Sequence, residues 1–237
     1  MNTKKFIFDD SKPPIHYRPN TSNEAIIDAI LIQKKEYIFP HLSPDIVFDI
    51  GANIGIATIV LADYVYHNAK VHAFEPEPEN FELLKLNTAH LTNVILHNVA
   101  IDNYSGDTLL FKSEDASNLG GYSTAKKPPL ETSSNRVSVV RMSQLCDRLG
   151  HPQLIKIDCE GAEYNILCDI PQIEKVDWIT GELHGIKDFE LLAKLTATHE
   201  IQTNRVFGDA VWHFQAANRA RLFHNVARPL KPVLVEE

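Results

Sequence analysis

Short apolar runs recur along the chain at 46–50, 70–74, 93–98, 153–158 and 176–183, and each is long enough for one buried strand. Between them the apolar positions fall at helical spacing. Ala25, Ile26, Ala29, Ile30 and Ile32 predict a helix from Ser22 or Asn23 to about Tyr37. Further helices are expected over 55–66, 143–149, 162–169 and 187–199. Another opens at Pro76 and Pro78 and turns Phe81, Leu84 and Leu86 inward. Strands alternating with helices imply a parallel sheet with right-handed crossovers, an α/β architecture.

Two stretches break the alternation. Over 106–141, GDTLLFKS and RVSVVRM read as strands, and a segment rich in Ser, Asn, Gly and Pro lies between them. Near the end, IQTNRVFGDAVWHFQAAN reads as two strands joined at Phe207-Gly208-Asp209. These signals divide the chain into an N-terminal extension and helix (1–40), a main α/β unit (41–216) carrying the 106–141 insertion, and an extended tail (217–237) containing ARPLKPVLVEE.

The strand Val47-Phe48-Asp49-Ile50 runs directly into Gly51-Ala52-Asn53-Ile54-Gly55, and a helix follows. Such a junction lets backbone N–H groups approach a ligand closely. The next strand ends in Glu75, placed to accept hydrogen bonds from ribose hydroxyls. The spacing departs from the dinucleotide fingerprint. The last glycine comes one residue early, and Asn53 stands where a pyrophosphate needs bare backbone. Asp49 in front of the turn would repel phosphate but suits a cationic amino-acid moiety. The residues therefore favour S-adenosylmethionine, with S-adenosylhomocysteine as product, over NAD.

FDIGANIGIATIV, HAFEPEPENFELLKLN, VILHNVAI and LIKIDCEGAEYNIL together resemble the FkbM-type family of S-adenosylmethionine-dependent methyltransferases, over about residues 44–185. The resemblance implies a class I methyltransferase fold, a Rossmann-like sandwich. Its mostly parallel seven-stranded sheet would carry an antiparallel strand from the C-terminal hairpin. It also implies methyl transfer, typically to a hydroxyl oxygen, on an acceptor the sequence does not name. A small molecule, a sugar or a glycan would suit. The Asn/Asp-Pro-Pro-aromatic motif of many amino-methylating enzymes is absent, and Asp158-Cys159-Glu160-Gly161 stands at that strand end. N-methylation, a non-catalytic adenosyl-binding module and, more remotely, an NAD oxidoreductase are the competing readings.

Ligands bind open α/β sheets beyond the carboxyl ends of the strands. The expected cofactor residues are Asp49, Gly51, Ala52, Asn53, Gly55, Glu75, Asn98, Ala100 and Asp158. Asp158, Glu160 and His184 are the expected catalytic residues, with His184 or Asp158 as the base that takes the hydroxyl proton. Glu163 reads as a charge at a helix N-terminus. A divalent cation at Asp158, Glu160, Glu182 and His184 is left open and not predicted. Asn118 to Ser123 is expected to cover the acceptor site.

The net charge of −8 argues against a general nucleic-acid binder, and no apolar run is long enough to span a bilayer. MNTKKFIFDDSKPP has too short an apolar stretch for a signal peptide. Cys146, Cys159 and Cys168 lack metal-ligand spacing and read as reduced thiols, so a cytoplasmic location is expected.

Overall fold

A computed structural model describes residues 2–33, 37–112, 115, 117–124, 134–185, 187–207 and 211–222. The Gly208-Asp209 joint, the segment 125–133 and most of the expected tail lie outside the described residues.

The chain begins with β1 (Lys4–Phe6) and β2 (Ile15–Tyr17), which pair antiparallel, followed by α1 (Ser22–Ile27) and a π-helical turn, Asp28–Ile32. Thr21 caps α1 by accepting from the Asn23 N–H. The predicted helix ends five residues early, and Tyr37 lies in the loop beyond it. Then come β3 (Ile46–Ile50), α2 (Ile56–Ile59) with its π-helical continuation Val60–Val65, β4 (Lys70–Phe74), α3 (Pro78–Thr88) and β5 (Val94–His97).

The predicted interruption follows as β6 (Ala100–Asp102), β7 (Gly106–Phe111) and β8 (Ser134–Arg141), which form a small sheet in the order β6-β8-β7. After it run α4 (Met142–Leu149), β9 (Leu154–Ile157), α5 (Glu163–Cys168), β10 (Trp178–Leu183), α6 (Asp188–Leu195), β11 (His199–Phe207), β12 (Val211–Asn218) and α7 (Arg219–Leu222).

The main sheet has seven strands in the order β11-β12-β10-β9-β3-β4-β5. The β10-β9-β3-β4-β5 portion is parallel, and β12 runs antiparallel to both β10 and β11, as the resemblance implied. The inner strands are largely apolar because helices cover both faces, with Asp49, His72 and Lys156 as buried exceptions. Val47, Phe48, Val71, Leu154, Ile155 and Ile157 are all fully buried. On α3 the buried face differs from the prediction. Leu83 and Leu84 pack inward, while Leu86 is half exposed. Asn80, Asn87 and Thr88 complete that face, and Asn87 bonds His16 of β2 and the Ile54 carbonyl.

Candidate active site

The order of the inner strands brings the ends of β3, β4 and β9 together, and a cleft opens there. Gly51, Asn53, Glu75, Ala100, Asp158 and Glu160 all line it. The other expected cofactor residues support the cleft without lining it. Asp49 is fully buried and accepts a 2.6 Å hydrogen bond from the Thr58 hydroxyl. Ala52 is buried in an apolar cluster against Leu84. Asn98 donates to the Glu75 carbonyl at 2.8 Å and so ties the end of β5 to the end of β4.

The glycines are explained by crowding. Gly51 has φ +77°, and a Cβ there would lie 1.8 Å from the Asp158 carbonyl oxygen. Gly55 (φ +92°) lets α2 start against Leu84, whose Cδ1 would be 2.7 Å from a Cβ. Asn53 takes a positive φ of 53° and aims its N–H at Glu75 Oε2, 2.8 Å away. Glu75 Oε1 accepts from the Glu77 N–H at 2.9 Å. Burial raises the Glu75 carboxyl to about 7, against the pull of these two backbone donors.

Lys156, which the sequence reading passed over, lies beneath the glycine turn. It is the register partner of Asp49 across β3 and β9, and it is almost fully buried. Its Nζ donates to the Gly51 carbonyl at 2.7 Å and stands 3.5 Å from Asp49 Oδ1, with the Tyr37 ring beside it. Tyr37 in turn donates its hydroxyl to Asp158 Oδ2 at 3.1 Å. Neither contact follows from local spacing.

Beyond Asp158 and Glu160 the cleft wall is shared with a group of acids around His184. The ring is almost wholly buried, and its Nδ1 lies 3.1 Å from Glu163 Oε1. The same Glu163 oxygen accepts from the N–H groups of Cys159 (2.9 Å) and Gly161 (3.2 Å), so Glu163 holds the turn and the ring together. Its role as a helix-terminal charge is secondary to these bonds. His184 Nε2 lies 3.1 Å from Glu182, 3.9 Å from Glu160 and 4.0 Å from Asp158. Glu182 also accepts from or pairs with His213 Nε2 at 2.7 Å, because the two are register partners across β10 and β12.

The electrostatics follow from this crowding. Burial opposes charge on His184, but the bonds to Glu163 and Glu182 and the charge of Asp158 outweigh it and push the ring up to about 11. These carboxylates thus favour the protonated ring over the neutral one. Burial and the neighbouring Glu182 raise Asp158 to about 6, despite Lys156. Burial pushes the Cys159 thiol well up, which keeps it an unreactive thiol.

The expected cover segment flanks the cleft with Gly120 and Tyr122, and Thr124 follows it there. It is docked rather than free. The N–H groups of Leu119 and Gly120 donate to Ser22 Oγ, Asn80 donates to the Leu119 carbonyl, and Ser123 Oγ donates to the Glu160 carbonyl.

Fold and cleft together define a class I methyltransferase architecture, with a cleft at the strand ends beside a polar wall. Residues 49–212 match the methyltransferase FkbM domain, and the chain belongs to that family. It is 24% identical over 163 residues to the hexuronic acid methyltransferase AglP of Haloferax volcanii, covering 67% of this chain and 64% of the relative. It is 27% identical over 176 residues to the 31-O-demethyl-FK506 methyltransferase FkbM of Streptomyces tacrolimicus, covering 60% of this chain and 66% of the relative. The matches thus span just under two thirds of these relatives' lengths. Among solved structures, the methyltransferase FkbM of Methylobacillus flagellatus superposes with a TM-score of 0.52 at 16% identity, over 84% of this chain and 48% of that one. The fibrillarin pre-rRNA processing protein of Methanococcus jannaschii does so with 0.51 at 13%, over 91% and 88%. These two likenesses speak for the fold alone. Among the described residues no helix is long and apolar enough to cross a membrane.

Proposed function

We propose that the chain is an S-adenosylmethionine-dependent O-methyltransferase acting on a hydroxyl of a sugar, glycan or small molecule. The observation that carries this reading is the bond from the Asn53 N–H to Glu75, which locks the glycine turn to a strand-end carboxylate in one cleft with Asp158 and Glu160. Glu75 keeps lone pairs for the ribose hydroxyls. Asp158 and the turn from Gly51 to Asn53 would hold the methionine part of the cofactor, and Ala100 would border the base. The fully buried Asp49 acts through Lys156 and the turn rather than by touching the ligand.

Bound S-adenosylmethionine would supply an electrophilic methyl group, which the acceptor oxygen would take up as the carbon–sulfur bond breaks and S-adenosylhomocysteine leaves. The hydroxyl proton passes to Asp158 or Glu160, the two carboxylates that line the cleft. His184, whose Nε2 lies among the carboxylates of Asp158, Glu160 and Glu182, positions them. Most of the rate gain would come from holding oxygen and methyl close and aligned. The relatives support transfer to oxygen. One is named for a 31-O-demethyl acceptor and the other for a hexuronic acid.

Calorimetric titration with S-adenosylmethionine, S-adenosylhomocysteine and NAD tests the cofactor. Binding of the two adenosyl ligands, weakened in Glu75→Ala, is expected. Binding of NAD alone would overturn the proposal.

A further inference from the structure

The group around His184 has a composition that the methyl-transfer reading does not require. Asp158, Glu182 and His184 each bring one donor atom within 4.8 Å of the others. Glu160 stands beside them, 3.9 Å from the same imidazole nitrogen. Plain acidic patches lack two features found here. First, a side chain exposed by only 4% aims Nε2 into the carboxylates, while its Nδ1 is fixed on Glu163, itself 1% exposed. A carboxylate behind a histidine is the arrangement that orients an imidazole as a metal ligand, with the proton on the far nitrogen. Secondly, Glu163 Oε2 is buried with no hydrogen-bond partner, so the carboxylate that fixes the ring is itself left with an unsatisfied acceptor.

We infer that Asp158, Glu182 and His184 form a binding site for one divalent cation, with Glu163 positioning the histidine. Two oxygens and one nitrogen in mixed array suit Mn²⁺ and Mg²⁺, and Zn²⁺ less exclusively. Three protein ligands leave coordination positions open toward the cleft, where Asp158 lies in the wall. There the cation would hold the acceptor hydroxyl and favour its ionised form. Glu160 then remains to take the proton. The cation would also offset the carboxylates that repel an anionic acceptor such as a uronic acid. The site itself is independent of the proposed methyl transfer, whereas this role rests on it.

The test is a titration of Mn²⁺ into metal-stripped protein, followed by the loss of the free-ion electron paramagnetic resonance signal. The expected result is one Mn²⁺ per chain, with uptake lost in Glu182→Gln and in His184→Gln. In Glu163→Gln, affinity should fall by roughly 10- to 100-fold. S-adenosylhomocysteine binding by the same samples reports that each variant is folded. No uptake by the native chain, or unchanged uptake in folded Glu182→Gln, overturns the inference. S-adenosylhomocysteine binding without Mn²⁺ uptake removes the cation site and leaves the methyltransferase reading standing. Mn²⁺ uptake without any adenosyl binding does the reverse.

Discussion

Cofactor affinity should depend on pH through Glu75. The buried carboxyl is half-ionised only at about 7, whereas an ordinary glutamate ionises near 4.5. Burial favours its protonated form, and two ribose hydroxyls would donate to the ionised form, so binding must draw the proton off. At pH 5, two units below that midpoint, the ionised fraction is about one hundredth, which costs about 2.7 kcal/mol of binding energy. Affinity for S-adenosylhomocysteine should therefore rise about tenfold per pH unit from 5 toward 7 and level off above it. The sign for the unliganded fold is opposite. A raised carboxyl pKa makes the folded state hold its proton longer than the unfolded chain, so this group's contribution to stability is greatest below 4.5 and is lost as pH rises through 7. Calorimetry at half-unit intervals from pH 5 to 7.5, with Glu75→Gln alongside, isolates the residue, because Asp158 also titrates in this range. The slope should drop by about one proton in the variant. Equal slopes in the two proteins would refute the reasoning.

Other perturbations test the supports of the cleft. Gly51→Ala places a Cβ on the Asp158 carbonyl at positive φ, so a loss of roughly 2–4 kcal/mol and of cofactor binding is expected by thermal melting and calorimetry. Lys156→Met leaves Asp49 buried and uncompensated, and should lower stability by about 3–5 kcal/mol in urea; adding Asp49→Asn should recover part of it, and no recovery would mean the ion pair is not the cause. Ser22→Ala removes the acceptor of two amides of the cover segment, costing about 1 kcal/mol for each. Hydrogen exchange over 117–124 should speed up accordingly, and unchanged protection would place the anchor elsewhere.

The glycine-turn side of the cleft was legible because its signals are short in sequence. Strand, glycine turn, helix and terminal acid occur in order over 47–75, and the sheet reproduces that order in space. The other side was not. Lys156 meets Asp49, and His213 meets Glu182, only through strand register, which no local spacing encodes. His184 was picked out by its chemistry and position. Its electrostatics, however, depend on Glu163, which reaches it only once α5 has packed into place, as well as on the nearby Glu182. The face of α3 was misread for a related reason. Its buried positions include Asn80, Asn87 and Thr88, whose polarity hides them from a hydrophobic pattern while their hydrogen bonds make them core residues.

The pairing of β10 with β12 also bears on how the molecule is made. Chains emerge from the ribosome from the N-terminal end, and β3, β4 and β5 can pair before β10 exists. Glu182 gains its His213 partner, and β10 its second neighbour, only after β12 has been synthesised some thirty residues later. The glycine turn and Glu75 can thus come together in a nascent chain while Glu182 still lacks its partner, so the two sides of the cleft are completed at different stages of synthesis.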